Sequence, residues 1–169
     1  MSSIADAIRK ASAYLKAHPE EASYTDSAAV ARLDGGLRVT VTAADGRTVS
    51  SDMVKAVGGS DSAASPGWLF RAALAACETT LIAMRAAAVG IDLTELEVTV
   101  DSESNDFGIL GIDDAVPAGP LSIRSRIRVR ASSARSAQLR EIVGWAVAHC
   151  PVADLATRAV PMTLDIDAG

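Results

Sequence analysis

The stretch "SPGWLFRAALAACETTLIAMRAAAVG", residues 65–90, is the one from which the architecture can be read. Ser65 is placed as an N-cap and Pro66 follows at the first helical position, where a missing N–H costs nothing. The helix then runs to Val89, and Gly90 can take the left-handed position beyond its end while Ile91 folds back on the last turn. Phe70, Ala73, Leu74, Leu81 and Met84 lie around Cys77 at offsets of three, four and seven, forming one apolar face. Glu78 follows the thiol but points about 100° away around the helix. Small aliphatic residues dominate throughout, as suits a helix packed closely against its neighbours.

Upstream, Ile4, Ile8, Ala11 and Leu15 recur at helical spacing behind Ser3, predicting an amphipathic helix over residues 3–17 that ends at "HPEE". We take residues 1–24 as a helical extension and 25–169 as the domain proper. Three segments then follow, "TDSAAVARLDGG", "LRVTVTAADG" and "RTVSSDMVKAVGG", separated by Asp-Gly-Gly and Asp-Gly turn signals. They predict an antiparallel meander.

Downstream, "LTELEVTVDSES" and "PLSIRSRIRVRA" alternate strictly and predict two half-buried strands, joined by a long loop from Asn105 to Gly119. Ser132 or Ser133 can cap a helix through Leu139, Ile142, Val143, Ala146 and Val147. That helix breaks at "HCPVADLATRA" and restarts at Pro151. "VPMTLDID" closes the chain as a predicted strand. The order βββ-α-ββ-α-β lacks regular βαβ alternation, so the fold class is α+β.

A chain of 169 residues, 49% of them apolar, is large enough for one domain with its own core. The net charge of −5 supplies no basic footprint for nucleic acid or an anionic membrane. Two cysteines do not make a disulfide scaffold. The N-terminus shows no basic start followed by an apolar stretch, and no apolar run approaches a membrane span, so a soluble, cytoplasmic protein is expected.

Most local motifs can be set aside. Arg124, Arg126, Arg128 and Arg130 share one strand face, but Glu95, Glu97 and Asp101 on the preceding strand, and Asp165 and Asp167 on the last, offer opposite charges at the same period. Such charges stabilise a sheet by pairing across strands. "GGSDSAASPG" lacks both phosphate-loop signatures. "DFG" at Asp106 to Gly108 stands in a chain too short for a kinase. His18 and His149 make no metal-ligand spacing with the cysteines, and there is no G-x-S-x-G. No metal and no cofactor are expected.

Two thiols remain, 73 positions apart. Cys77, on an apolar helix face, reads either as packing or as a reagent. Cys150 stands at the N-cap of the restarted helix, where the dipole and free amides favour a thiolate.

At "SPGWLFRAALAAC" and "AHCPVADLA" the chain resembles the OsmC/Ohr family, the osmotically inducible protein C and organic hydroperoxide resistance proteins. The resemblance extends from about Thr25 to Asp167. It implies an α+β fold of antiparallel sheets packed on a long central helix, two subunits intertwining as a homodimer. It also implies thiol-dependent reduction of hydroperoxides in an oxidative stress response, with Cys77 as the peroxidatic thiol, Cys150 as its resolving partner and a dithiol as reductant. Phe70 and Trp68 would line an apolar substrate pocket. Family peroxidases commonly carry glutamate directly after the helix-opening proline to orient an activating arginine. Here that position is Gly67, and Arg32, Arg38 and Arg47 are the arginines on offer, Arg38 the best placed. Gly67 supports an alternative, an OsmC-fold protein without significant peroxidase activity that binds an apolar small molecule at the dimer interface.

Overall fold

Around the predicted long helix the chain builds five strands and five α-helices in a computed structural model that describes residues 3–169. The first helix, α1 (Ile4–Ala17), starts where Ser3 Oγ accepts from the Asp6 N–H, as its spacing predicts. A 3₁₀ turn at Pro19–Ala22 leads into β1 (Ala29–Gly35), β2 (Arg38–Ala43) and β3 (Thr48–Ser51), the expected antiparallel meander in the order β1-β2-β3. Its strands pack on one another rather than on the helices, and every residue of β1 is exposed.

The central helix, α2 (Pro66–Ala88), is capped by Ser65 Oγ on the Trp68 N–H. It stops as its sequence dictates. Gly90 has φ +74°, a region only glycine enters without strain, and the Ile91 N–H reaches back to the Ala86 carbonyl at 2.9 Å.

After α2 come β4 (Glu95–Glu103), the short α3 (Asp106–Ile109) in the long loop, and β5 (Ser122–Arg130). β4 and β5 pair antiparallel with Glu95 opposite Arg130, Glu97 opposite Arg128 and Asp101 opposite Arg124. The arginine stripe is therefore the outer face of a sheet. Arg130 pairs with Glu95, Arg128 with Glu95 and Glu97, and Arg124 and Arg126 both with Asp101.

The inner face, Leu96, Val98, Ile127 and Val129, packs on the core, where Ile82 and Ala86 of α2 meet Leu139, Ile142 and Ala146 of α4 (Ser136–Ala148). Ala86 and Ala146 are both essentially buried, so the small residues of the two helices let their backbones approach. α2 also packs against α1 and α5 (Pro151–Thr157). Among the described residues no helix is long and apolar enough to cross a membrane.

Two expectations fail. α4 is not capped by Ser132 or Ser133: it begins three or four residues later, with Arg135 at the N-cap and its N–H bound by Gln138 Oε1 at 3.0 Å. Ala131 and Ala134 are instead drawn onto the core, carrying the two serines into the connecting turn. "VPMTLDID" is not a strand. A strand needs a neighbour for its backbone, and among the described residues no ladder forms beside it. Met162, Leu164 and Ile166 are strongly exposed, and Asp165 and Asp167 take no part in the charge ladder.

Candidate functional site

Cys77 lies midway along α2, half-buried, one residue off the stripe Leu74, Glu78, Ile82 and Ala86 that faces the core. Cys150 is only 1% exposed and is the N-cap of α5, fixed there by Pro151 at the first helical position and by its carbonyl accepting from the Asp154 N–H at 2.9 Å. The packing of α5 on α2 brings the two thiols near each other, although they stand 73 positions apart in sequence.

The environment of Cys150 is not the one its helix position suggests. Burial pushes its thiol above the ordinary value, and the neighbouring Cys77 thiol pushes it further; the N–H groups of Ala153 and Val152 pull the other way without prevailing. A two-turn helix offers little dipole against the loss of water around a sulfur this deep. Burial and the neighbouring thiol thus favour the neutral form of Cys150.

Phe70 lines an apolar cavity of about 330 Å³ with Met53, Pro66, Gly67, Arg71 and Ile109, at the N-terminal end of α2. Trp68, expected beside it, faces outward and is 52% exposed. A Cβ added at Gly67 would meet only Arg71 Nη1, at 3.8 Å, so the position is open rather than crowded. Arg71 donates to Ser102 Oγ at 3.3 Å.

The candidate arginines stay in the meander and its loops. Arg38 donates to Ser62 Oγ at 2.7 Å and Ser50 Oγ at 3.3 Å, with Asp34 at 3.7 Å, and Arg47 pairs with Asp45. Arg32 makes no hydrogen bond or ion pair among the described residues. The loop that Arg38 touches is organised by Asp52, which is 2% exposed and accepts from the hydroxyls and N–H groups of Ser60 and Ser62 and from the Met53 N–H. The Ser60 hydroxyl and then the Ser62 donors hold this carboxyl well below the usual carboxylate range.

Sequence reasoning passed over Glu78. It is 3% exposed, Oε1 accepts from Ser125 Oγ at 3.2 Å, and Oε2 has no hydrogen-bond partner among the described residues. The signal was available: Glu78 falls four residues after Leu74 and four before Ile82, on the buried stripe rather than on a solvated face. No group of three or more His, Cys, Asp or Glu residues among those described is placed to hold a metal ion.

A family model described as OsmC-like protein matches residues 59–165. Among solved structures, the organic hydroperoxide resistance protein OsmC of Legionella pneumophila is 22% identical, with a TM-score of 0.57 over 79% of this chain and 90% of that one. An organic hydroperoxide resistance protein of Elizabethkingia anophelis is 21% identical, with a TM-score of 0.59 over 81% and 91%. An OsmC-like protein of Mycoplasma pneumoniae is 18% identical, with a TM-score of 0.62 over 80% and 89%. No curated protein sequence matches the chain.

Proposed function

The chain belongs to the OsmC-like protein family, and on that premise we propose that it is a thiol-dependent hydroperoxide reductase in which Cys77 is oxidised and Cys150 resolves it. The observation that carries this reading is the approach of the two sulfurs, one half-buried and one fully buried, on packed helices.

The Cys77 thiolate attacks one peroxide oxygen, the O–O bond breaks, and the departing alkoxide takes a proton to leave as alcohol. Cys77 is left as a sulfenic acid. The Cys150 thiol then gives up its proton as its sulfur attacks the Cys77 sulfur; the sulfenic hydroxyl takes that proton and leaves as water, and the disulfide forms between the two sulfurs. A small dithiol exchanges with that disulfide and restores both thiols. Phe70 and its cavity, along α2 from Cys77, suit an alkyl hydroperoxide.

The same reading takes the protein as a cytoplasmic homodimer. A wholly exposed β1 and the alternating exposed residues Met162, Leu164 and Ile166 are surfaces that a second copy would cover. In such a dimer an arginine of the partner's meander would supply a positive charge beside the Cys77 thiolate. The second reading, an OsmC fold that binds an apolar small molecule with little peroxidase activity, is favoured by Gly67.

Thiol titration and intact mass before and after one equivalent of cumene hydroperoxide decide between them. The peroxidase reading expects wild type to lose both thiols and the mass of two hydrogens, and Cys150→Ser to gain one oxygen on Cys77. Thiols that persist unchanged under peroxide would reject it and leave the ligand-binding reading.

A further inference from the structure

A buried carboxylate with one oxygen unpartnered is costly to leave so. A buried carboxyl oxygen without a donor has lost its hydration and gained no partner in exchange. Glu78 is in that condition at Oε2, while Ser125 Oγ holds Oε1. It also lines a cavity of about 430 Å³ between α2, β5, the end of α4 and α5, a size within the range of small-molecule sites. The other walls include Leu74, Leu121, Ile123, Val147 and Ala156, and Glu78 is the one charged residue among the described residues that line it.

From this the geometry points to a binding site for a small organic cation, a primary ammonium on a short apolar body, with Glu78 as its anchoring carboxylate. The apolar walls take the body. The head must bring the donor, because among the described residues no lysine, arginine or histidine lines the cavity. A primary ammonium fits better than a guanidinium: the planar fork of the latter seeks both carboxylate oxygens, and here Ser125 already occupies one. A carboxylate ligand is repelled, and an alcohol gains only a hydrogen bond without opposite charge. The site involves neither sulfur in its chemistry, so it stands or falls separately from the peroxidase reading.

The test is calorimetric titration of the full chain at neutral pH with three probes sharing one apolar body: hexylammonium chloride, 1-hexanol and sodium hexanoate. Saturable hexylammonium binding is expected, at least about tenfold tighter than hexanol and equivalent to about 1.4 kcal/mol, with no hexanoate binding. Glu78→Gln is expected to bring hexylammonium down to the level of hexanol. Should that variant fail to fold, the wild-type ranking of the probes decides alone. Hexanol or hexanoate binding as tightly as hexylammonium, undiminished hexylammonium binding by a folded Glu78→Gln protein, or no saturable hexylammonium binding because a second copy fills the cavity would each overturn the assignment.

Discussion

Arg130 and Glu95 face each other at one end of the β4–β5 ladder, and Arg130 Nε donates to Glu95 Oε2 at 2.7 Å. The arginine side chain is 68% exposed and the glutamate 37%, so water competes for both charges. Arg130→Gln is expected to lower stability by about 0.2–1 kcal/mol, toward the lower end because the pair is solvated. Urea unfolding at low and high salt checks this: the difference between variant and wild type should shrink as salt rises.

Ile82, by contrast, has no exposed surface and sits where α2, α4 and the sheet meet. Ile82→Ala should cost about 2–5 kcal/mol by removing apolar contact and leaving a cavity. The loss should be independent of salt, which separates packing from charge in the same unfolding experiment.

Asp52 couples the meander loop to acid. Its carboxyl is held below the ordinary value of 3.8 by the hydroxyl of Ser60 and the donors of Ser62. A carboxylate with a depressed folded value contributes stability that is present above the unfolded value and is lost as pH falls through the folded one. Wild type should therefore lose stability progressively below that ordinary value. Asp52→Asn should begin less stable at neutral pH and show a flatter acid limb, as read from thermal unfolding across acidic pH.

Cys150 has the opposite sign. Burial and Cys77 raise its thiol above the ordinary 9.0, so its contribution to stability is present below that value and is lost as pH rises beyond it. Alkylation followed by peptide mass mapping should find Cys150 slower than a free thiol at neutral pH. Its rate should climb only at more alkaline pH, and Cys77→Ala should move that climb part of the way back, burial being the larger cause.

Gly67 is a position where restoring a side chain is expected to help. The added Cβ meets nothing nearer than Arg71 Nη1 at 3.8 Å, and the site lies in the first turn of α2. Gly67→Glu should stabilise the helix by about 0.5–1 kcal/mol through reduced backbone freedom, with an acidic group near the N-terminus adding to it. Peroxide consumption by the purified variant should also exceed that of wild type; equal rates would show that the missing carboxylate is not what limits turnover.

What the sequence revealed was what a single element carries within itself. The cap at Ser65, the stop at Gly90 and the period-two charges of β4 and β5 are local patterns with one physical solution each. "VPMTLDID" carries as clear an alternation, yet alternation specifies a face and not a neighbour, and among the described residues no strand pairs with it. The N-cap at Cys150 was likewise readable, while the burial that outweighs it arises from α2 and could be learned only from packing. Glu78 lay hidden for a related reason: its charge argued for solvent, and only the residues four before and four after it argued for the core.

The meander of β1, β2 and β3 has little besides its own ladder to hold it, whereas α2 around Ile82 is packed into the core between α4 and the β4–β5 sheet. Local opening therefore grades across the molecule. In heavy water, the amides of the first three strands would exchange through small, frequent fluctuations, and those in the middle of α2 only when the whole fold comes apart. Among its regular elements the domain thus carries less protected backbone in the strands beside Arg32, Arg38 and Arg47 than in the helix next to Cys77.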